Sequence, residues 1–178
     1  MGEAITTAQG VEPATASESK YLTFAIKGEE YGVSILRVRE IIGVLPITVV
    51  PEAPVSIRGV INLRGRIIPV MDLRKRFGFE GDSAELERAC IIVLEVTKGD
   101  DLVDVGVLVD EVNEVIAVNE ADIECPPDLN CHKASNCIAG LINQDGEVRI
   151  LIDVNQLLTE KQMREAVSAQ PALVGAES

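Results

Sequence analysis

Cys125, Cys131 and Cys137 fall at even intervals in one segment, and His132, the single histidine, sits among them. Thiolate and imidazole are zinc ligands, but zinc signatures draw their specificity from close C-x-x-C pairs, and none is present. The segment carries Pro, Asn and Lys and reads as a surface loop with reduced thiols, not as a metal centre or a disulfide framework. Cys90 lies in an apolar run and reads as a buried small hydrophobe. No serine or cysteine stands in a nucleophile motif, and the chain has neither a glycine-rich phosphate loop nor an H-E-x-x-H pair. The acidic pairs Asp100-Asp101 and Asp110-Glu111 sit beside strand-like runs, where solvated charge is the ordinary role. What remains is a basic pair at a turn, Arg64 and Arg66, on a chain of formal charge −13. A planar guanidinium held by a nearby carboxylate is a directional donor for a protein partner, and Glu40 is the candidate carboxylate. These residue types point to binding rather than turnover, with no cofactor and no metal.

The elements that must position this pair are repeated. Ile57 to Leu158 contains one block twice, Ile57–Phe77 and Ile138–Leu158, aligned without a gap. Ile57, Gly59, Ile61, Asn62, Gly65 and Asp72 recur as Ile138, Gly140, Ile142, Asn143, Gly146 and Asp153. A shorter echo precedes each copy, with Gly32 to Ile42 matching Gly106 to Ile116. Two blocks in the same order, twice, imply a duplicated unit. Each block predicts a hairpin whose turn glycine takes a positive φ, followed by a helix capped by Asp72 or Asp153. The second helix is expected to run from Val154 to about Val167. Ser34 predicts a cap for a short helix over Ile35–Ile41 bearing Val38 and Glu40. Pro46, Pro51 and Pro54 make the connection between irregular. At the repeated turn the copies differ: Arg64 and Arg66 face Asp145 and Glu147 as counterparts, while Glu40 faces Glu114. The first copy can pair acid with base, whereas the second sets acid against acid.

Composition agrees with a β-rich binding module. Of the 178 residues 47% are hydrophobic, but there is no Trp and there are only two Tyr and three Phe, so the core is aliphatic. Val, Ile and Leu cluster in short runs bounded by Gly, Asp and Pro, as strands do. The acidic balance opposes nucleic acid and anionic lipid surfaces. No apolar run approaches the roughly 20 residues of a spanning helix, and the N-terminus shows no secretion signal, so a cytoplasmic location is expected. The expected fold is mainly β: two pseudo-symmetric five-stranded barrels with short helices and a C-terminal helix. The expected division is a disordered tail over 1–19, two intertwined subdomains at roughly 30–88 and 89–152, and a C-terminal helix end and tail over 164–178. The first strand, about 20–27, can complete the barrel of the other unit.

Glu29-Glu30-Tyr31-Gly32-Val33, Ile35-Leu36-Arg37-Val38-Arg39-Glu40-Ile41, and Gly59-Val60-Ile61-Asn62-Leu63-Arg64-Gly65 with Pro69-Val70-Met71-Asp72-Leu73 resemble the CheW family of chemotaxis coupling proteins. The resemblance covers about Lys20 to Met163. It implies two five-stranded SH3-like barrels and an adaptor joining the helical cytoplasmic tip of chemoreceptors to the regulatory domain of the histidine kinase CheA. By the same resemblance Val38, Glu40, Arg64 and Val112 meet the receptor, Val49, Pro51 and Pro54 meet the kinase, and other copies of the adaptor are further partners. An adaptor of a pilus or other chemosensory array is the alternative within the binding class. A Cys/His metal protein is the alternative outside it.

Overall fold

The repeated turn residues set the local geometry. In the computed structural model, which describes residues 18–82, 85–129 and 137–157, β4 (Ile57–Leu63) and β5 (Arg66–Asp72) form a hairpin closed by Arg64 and Gly65. Both turn residues take positive φ, 53° and 86°, the pairing of a tight turn that matches strand twist. Asp145 and Gly146 repeat it at 55° and 82° between β9 (Ile138–Gln144) and β10 (Glu147–Ile152). Asp72 then accepts from the Arg74 amide at 3.0 Å and starts α1 (Leu73–Arg76). Asp153 accepts from the Asn155 amide at 3.0 Å and starts a single 3-10 turn, Val154–Gln156. The rest of the expected C-terminal helix lies outside the described residues, as do residues 1–17 of the expected tail. Glu18 and Ser19 belong to the first strand rather than to that tail.

The remaining strands are β1 (Glu18–Ile26), β2 (Glu29–Ser34), β3 (Val38–Gly43), β6 (Cys90–Lys98), β7 (Asp101–Val109) and β8 (Glu111–Asn119). They make two five-stranded sheets, sheet I in the order β3-β6-β7-β5-β4 and sheet II in the order β8-β1-β2-β10-β9. Strands β1–β5 correspond one for one to β6–β10, and under that correspondence the two orders are the same. The fold is thus mainly β, as expected. Strand membership corrects the expected division near residue 88. Each half sends its first two strands into the sheet built from the last three strands of the other half. Each exchanged pair of strands is held by an antiparallel neighbour on one side, β8 against β1 and β3 against β6, and by a parallel one on the other. In the parallel pairs Leu151 of β10 lies beside Gly32 of β2, and Val70 of β5 beside Gly106 of β7. The glycines leave room for those aliphatics, because a methyl on Gly106 would sit 2.9 Å from Ile91 and 3.4 Å from Val70.

The predicted helix over Ile35–Ile41 is also corrected. Ser34 does accept from the Leu36 amide, but the 3-10 turn stops at Arg37. Val38 onward extends as β3 along β6, with Val38 opposite Leu94 and Ile41 opposite Ile92. One turn of helix offers a single hydrogen bond, whereas the open edge of β6 offers a ladder to a β-branched segment.

Both sheets curl until their edges meet. Just past β3, Thr48 exchanges two backbone hydrogen bonds with Val60 of β4 (2.8 and 2.9 Å). Just past β8, Glu124 exchanges two with Leu141 of β9 (2.8 and 2.6 Å). This explains the repeated glycine next door. A methyl on Gly59 would drive into the Thr48 carbonyl, and one on Gly140 would lie 2.5 Å from the Ile123 side chain. The curl gives each sheet an inner face and an outer one, and period-2 alternation fills both. In β6, Ile91 and Val93 join the core inside sheet I, while Ile92, Leu94 and Val96 join the core between the sheets. That central core also takes Leu22, Phe24 and Ile26 from β1 and is the largest of three among the described residues, the third being Val118, Ile142 and Leu151 inside sheet II. Each buried aliphatic contributes about 1.5–3 kcal/mol.

Candidate functional site

The sheet I curl brings the β4–β5 tip to β3. Arg64 donates through Nη1 to Oε1 of Glu40 at 3.1 Å and through Nη2 to Oε2 at 2.8 Å. This two-bond fork is the planar match that lysine cannot make. The tip is stiffened from within, because the Asn62 side-chain oxygen accepts from the Gly65 amide at 2.8 Å. The Arg64 guanidinium holds the Glu40 carboxyl below the usual glutamate range, and Glu40 in turn raises Arg64. Arg64 is nonetheless 68% exposed, so the pair displays a guanidinium to solvent.

Beside this pair lies a groove of ≈ 500 Å³. Leu36, Val38, Leu63 and Val93 form its apolar part, and Glu40 shares its wall with four other charged residues. Those four run in one row across adjacent strands: Arg39 on β3, Glu95 on β6, Asp104 on β7 and Arg66 on β5. Glu95 and Asp104 are direct cross-strand partners, a like-charge pairing that destabilises a sheet unless cations flank it. Arg39 reaches Glu95 at 3.0 Å and Asp104 at 3.6 Å, and Arg66 reaches Asp104 at 2.5 Å. A register shift between Val38 and Glu40 frees Arg39 from the ladder and aims it across the row. Sequence reasoning singled out Arg66 but missed Arg39, Glu95 and Asp104. The Lys98–Asp101 turn implies that Glu95 opposes Asp104, which was the available signal.

The equivalent row on sheet II is Asn113, Ala25, Glu30 and Glu147, lining a second groove of ≈ 390 Å³ with Glu29 and Val148. Here Asn113 donates to Glu30 at 2.6 Å, and Arg149 bonds both Glu30 (2.5 Å) and Glu147 (3.1 Å) from the adjoining strand position. The second tip is therefore acidic, as its sequence implies.

The other expected contact residues are dispersed. Val112 stands near the start of β8 opposite Phe24 and packs on the central core, the place that Val38 occupies for sheet I. Val38 and Glu40 line the sheet I groove, but Val112 is not among its walls. Both Val38 and Glu40 sit on a strand, not on the expected helix. Val49, Pro51 and Pro54 lie in the connection from β3 to β4, where Val49 is 74% exposed, Pro51 is exposed and Pro54 is half-buried.

Two cysteine expectations are corrected, and the first is Cys125, which is disulfide-bonded rather than a free thiol. It follows the Glu124 bridge, where the chain folds back along β9. Cys131 and His132 lie outside the described residues, and among the described residues no three His, Cys, Asp or Glu group to hold a metal. Cys137 is a free, buried thiol on the central core, and burial pushes its pKa up. It occupies the place of Ser56 in the first copy: the Asp153 amide bonds the Cys137 carbonyl as the Asp72 amide bonds that of Ser56 (2.7 and 2.8 Å). Cys90 is half-buried at the start of β6 rather than fully sealed. Among the described residues no helix is long and apolar enough to cross a membrane.

Residues 20–162 match the family model described as the CheW-like domain. A chemotaxis protein CheW from Klebsiella aerogenes is 35% identical over 144 residues, covering 81% of this chain and 84% of that protein. One from Bacillus subtilis is 34% identical over 151 residues, covering 85% of this chain and 94% of that protein. The crystal structure of the scaffolding protein TtCheW from Thermoanaerobacter tengcongensis superposes with a TM-score of 0.71 at 35% identity, covering 82% of this chain and 97% of that one.

Proposed function

The chain belongs to the CheW-like family, and from that premise we propose that it is a chemotaxis adaptor that holds the cytoplasmic tips of chemoreceptors to the histidine kinase CheA. It acts by binding rather than turnover, in the cytoplasm, at membrane-anchored receptor arrays. The helical receptor tip docks at Val38, Glu40 and Arg64, with Val112 contributing from sheet II. The kinase regulatory domain meets the exposed connection at Val49, Pro51 and Pro54. Two faces on one rigid body let the receptor state bias the kinase through geometry. The observation that carries this reading is the forked Glu40–Arg64 pair. It puts a well-oriented cation at one hairpin tip of an acidic protein, and at that tip alone of the two equivalents.

Arg64→Glu tests it. Co-sedimentation with receptor-bearing membranes should fall by at least about tenfold, the scale of one lost charge-assisted contact. Kinase binding and the melting temperature should stay nearly unchanged, since an ion pair this exposed contributes little to stability. Asp145→Arg at the other tip should leave receptor binding intact. Loss of receptor binding, kinase binding and stability together in Arg64→Glu would make the arginine structural and end the proposal.

A further inference from the structure

The sheet I groove beside the Arg64 fork displays features of its own. Leu36, on the 3-10 turn at its edge, is 86% exposed. The residue at the equivalent place in the second half is Asp110, which is buried and held by two bonds from Arg74 (2.9 and 2.6 Å). One half thus ties this position down with a charge, whereas the other puts a leucine into water. Leu36 shares the groove wall with Val38 and Leu63, and it is such a contiguous apolar surface, not the lone side chain, that marks a contact site. Beside it, the row Arg39–Glu95–Asp104–Arg66 keeps its anions covered and its cations out: the Asp104 side chain is 8% exposed, against 50% for Arg39 and 60% for Arg66. Each guanidinium carries five N–H donors, and the row engages only part of each set. Both guanidiniums converge on the Asp104 carboxylate, so their outer edges flank one small area of the groove.

We propose that this groove reads an amphipathic helix bearing a carboxylate: its apolar residue packs on Leu36, Val38 and Leu63, and its acidic side chain is received by Arg39 and Arg66. Asp104 and Glu95 are positioning residues that hold the two arginines in register. The inference rests on the receptor-docking reading above and specifies the chemistry of the docked helix. The argument for an acidic occupant is charge complementarity, since the equivalent row of sheet II replaces Arg39 by Asn113 and Arg66 by Glu147. The smaller groove on sheet II thus lacks both exposed guanidiniums and is lined by Glu29, Glu30 and Glu147, a surface that repels an acidic helix.

The test titrates the full chain against a chemoreceptor cytoplasmic tip fragment at several salt concentrations, with Arg64→Glu as the reference for the docking reading itself. Arg39→Gln/Arg66→Gln should bind about tenfold more weakly, and its affinity should depend less on salt than that of the unaltered chain. Removing both cations leaves Glu95 opposite Asp104, so Arg39→Gln/Glu95→Gln/Asp104→Asn/Arg66→Gln, which keeps the net charge, separates recognition from folding. It should melt like the unaltered chain and show the same weakened, less salt-sensitive binding. Leu36→Ser should weaken binding without changing the salt dependence. If the neutralised row binds with unaltered affinity and salt response, this inference is overturned, while a loss in Arg64→Glu would leave the docking reading standing. If Arg64→Glu binds normally, the docking reading falls, and continued loss in the row variants would then place the helix on this groove alone.

Discussion

The two hairpin tips have the same backbone and opposite surfaces. Arg64-Gly65 and Asp145-Gly146 share their φ values to within a few degrees, follow the same asparagine position and lead into the same aspartate cap. Yet the first tip ends in a guanidinium forked onto Glu40 and the second in carboxylates tended by Arg149. Duplication preserved what the chain needs to fold, namely turn, glycine contact and cap, and left the solvent side free to diverge. A backbone kept constant under a changed surface is how one half of a symmetric fold becomes a recognition site without endangering the other.

The largest effect that sharpens this comparison concerns the seams. Gly59→Ala should destabilise the protein by about 2–4 kcal/mol, because the added methyl meets the Thr48 backbone at a φ that L side chains avoid. Gly140→Ala should cost about 1–2 kcal/mol, since its first obstacle is the Ile123 side chain, which can shift. Denaturant unfolding of both variants checks the order, and equal losses would mean that the seams are not distinguished by backbone contact.

A smaller difference lies under the caps. Asp72 is fully buried and bonded by Arg58 at 3.3 Å, and Arg58 also forks onto Asp82 (2.6 and 2.8 Å). Asp153 is only half-buried, and Ala139 stands where Arg58 would be. Arg58→Met should therefore cost about 2 kcal/mol, less than a fully sealed pair because the arginine is partly in water. The loss should show as a lower denaturant midpoint without a change of slope.

The smallest effect is a titration. Arg64 depresses the Glu40 carboxyl, so the contribution of the pair is present above the ordinary glutamate pKa and is lost as pH falls through the lower folded value. NMR titration should place the Glu40 midpoint below the ordinary 4.5 and move it upward in Arg64→Ala. An unmoved midpoint would show that the fork does not persist in solution.

Much of this was legible residue by residue. Gly65 and Gly146 announced tight turns, Asp72 and Asp153 announced caps, and the Arg64–Glu40 pairing followed from comparing the two copies. The helix expected over Ile35–Ile41 was misjudged because Ser34 starts a helical turn whatever comes next, while the open edge of β6 decides what Val38 onward becomes. Gly59 and Gly140 were visible as a repeat, but their obstacles come from segments far along the chain.

By itself the chain order determined the β class, the duplication, the turn signs, the capped ends and the sign of charge at each tip. All of these are local, set by sterics and hydrogen bonds within a few residues. Tertiary structure alone decided which strands lie side by side: β1 and β2 crossing to sheet II, β3 meeting the β4–β5 tip, and four charges from four strands falling into one row. Strand pairing is non-local, and any free edge of suitable twist can accept a partner. The choice rests on which exchange seals the core between the sheets, and a linear pattern does not carry that information.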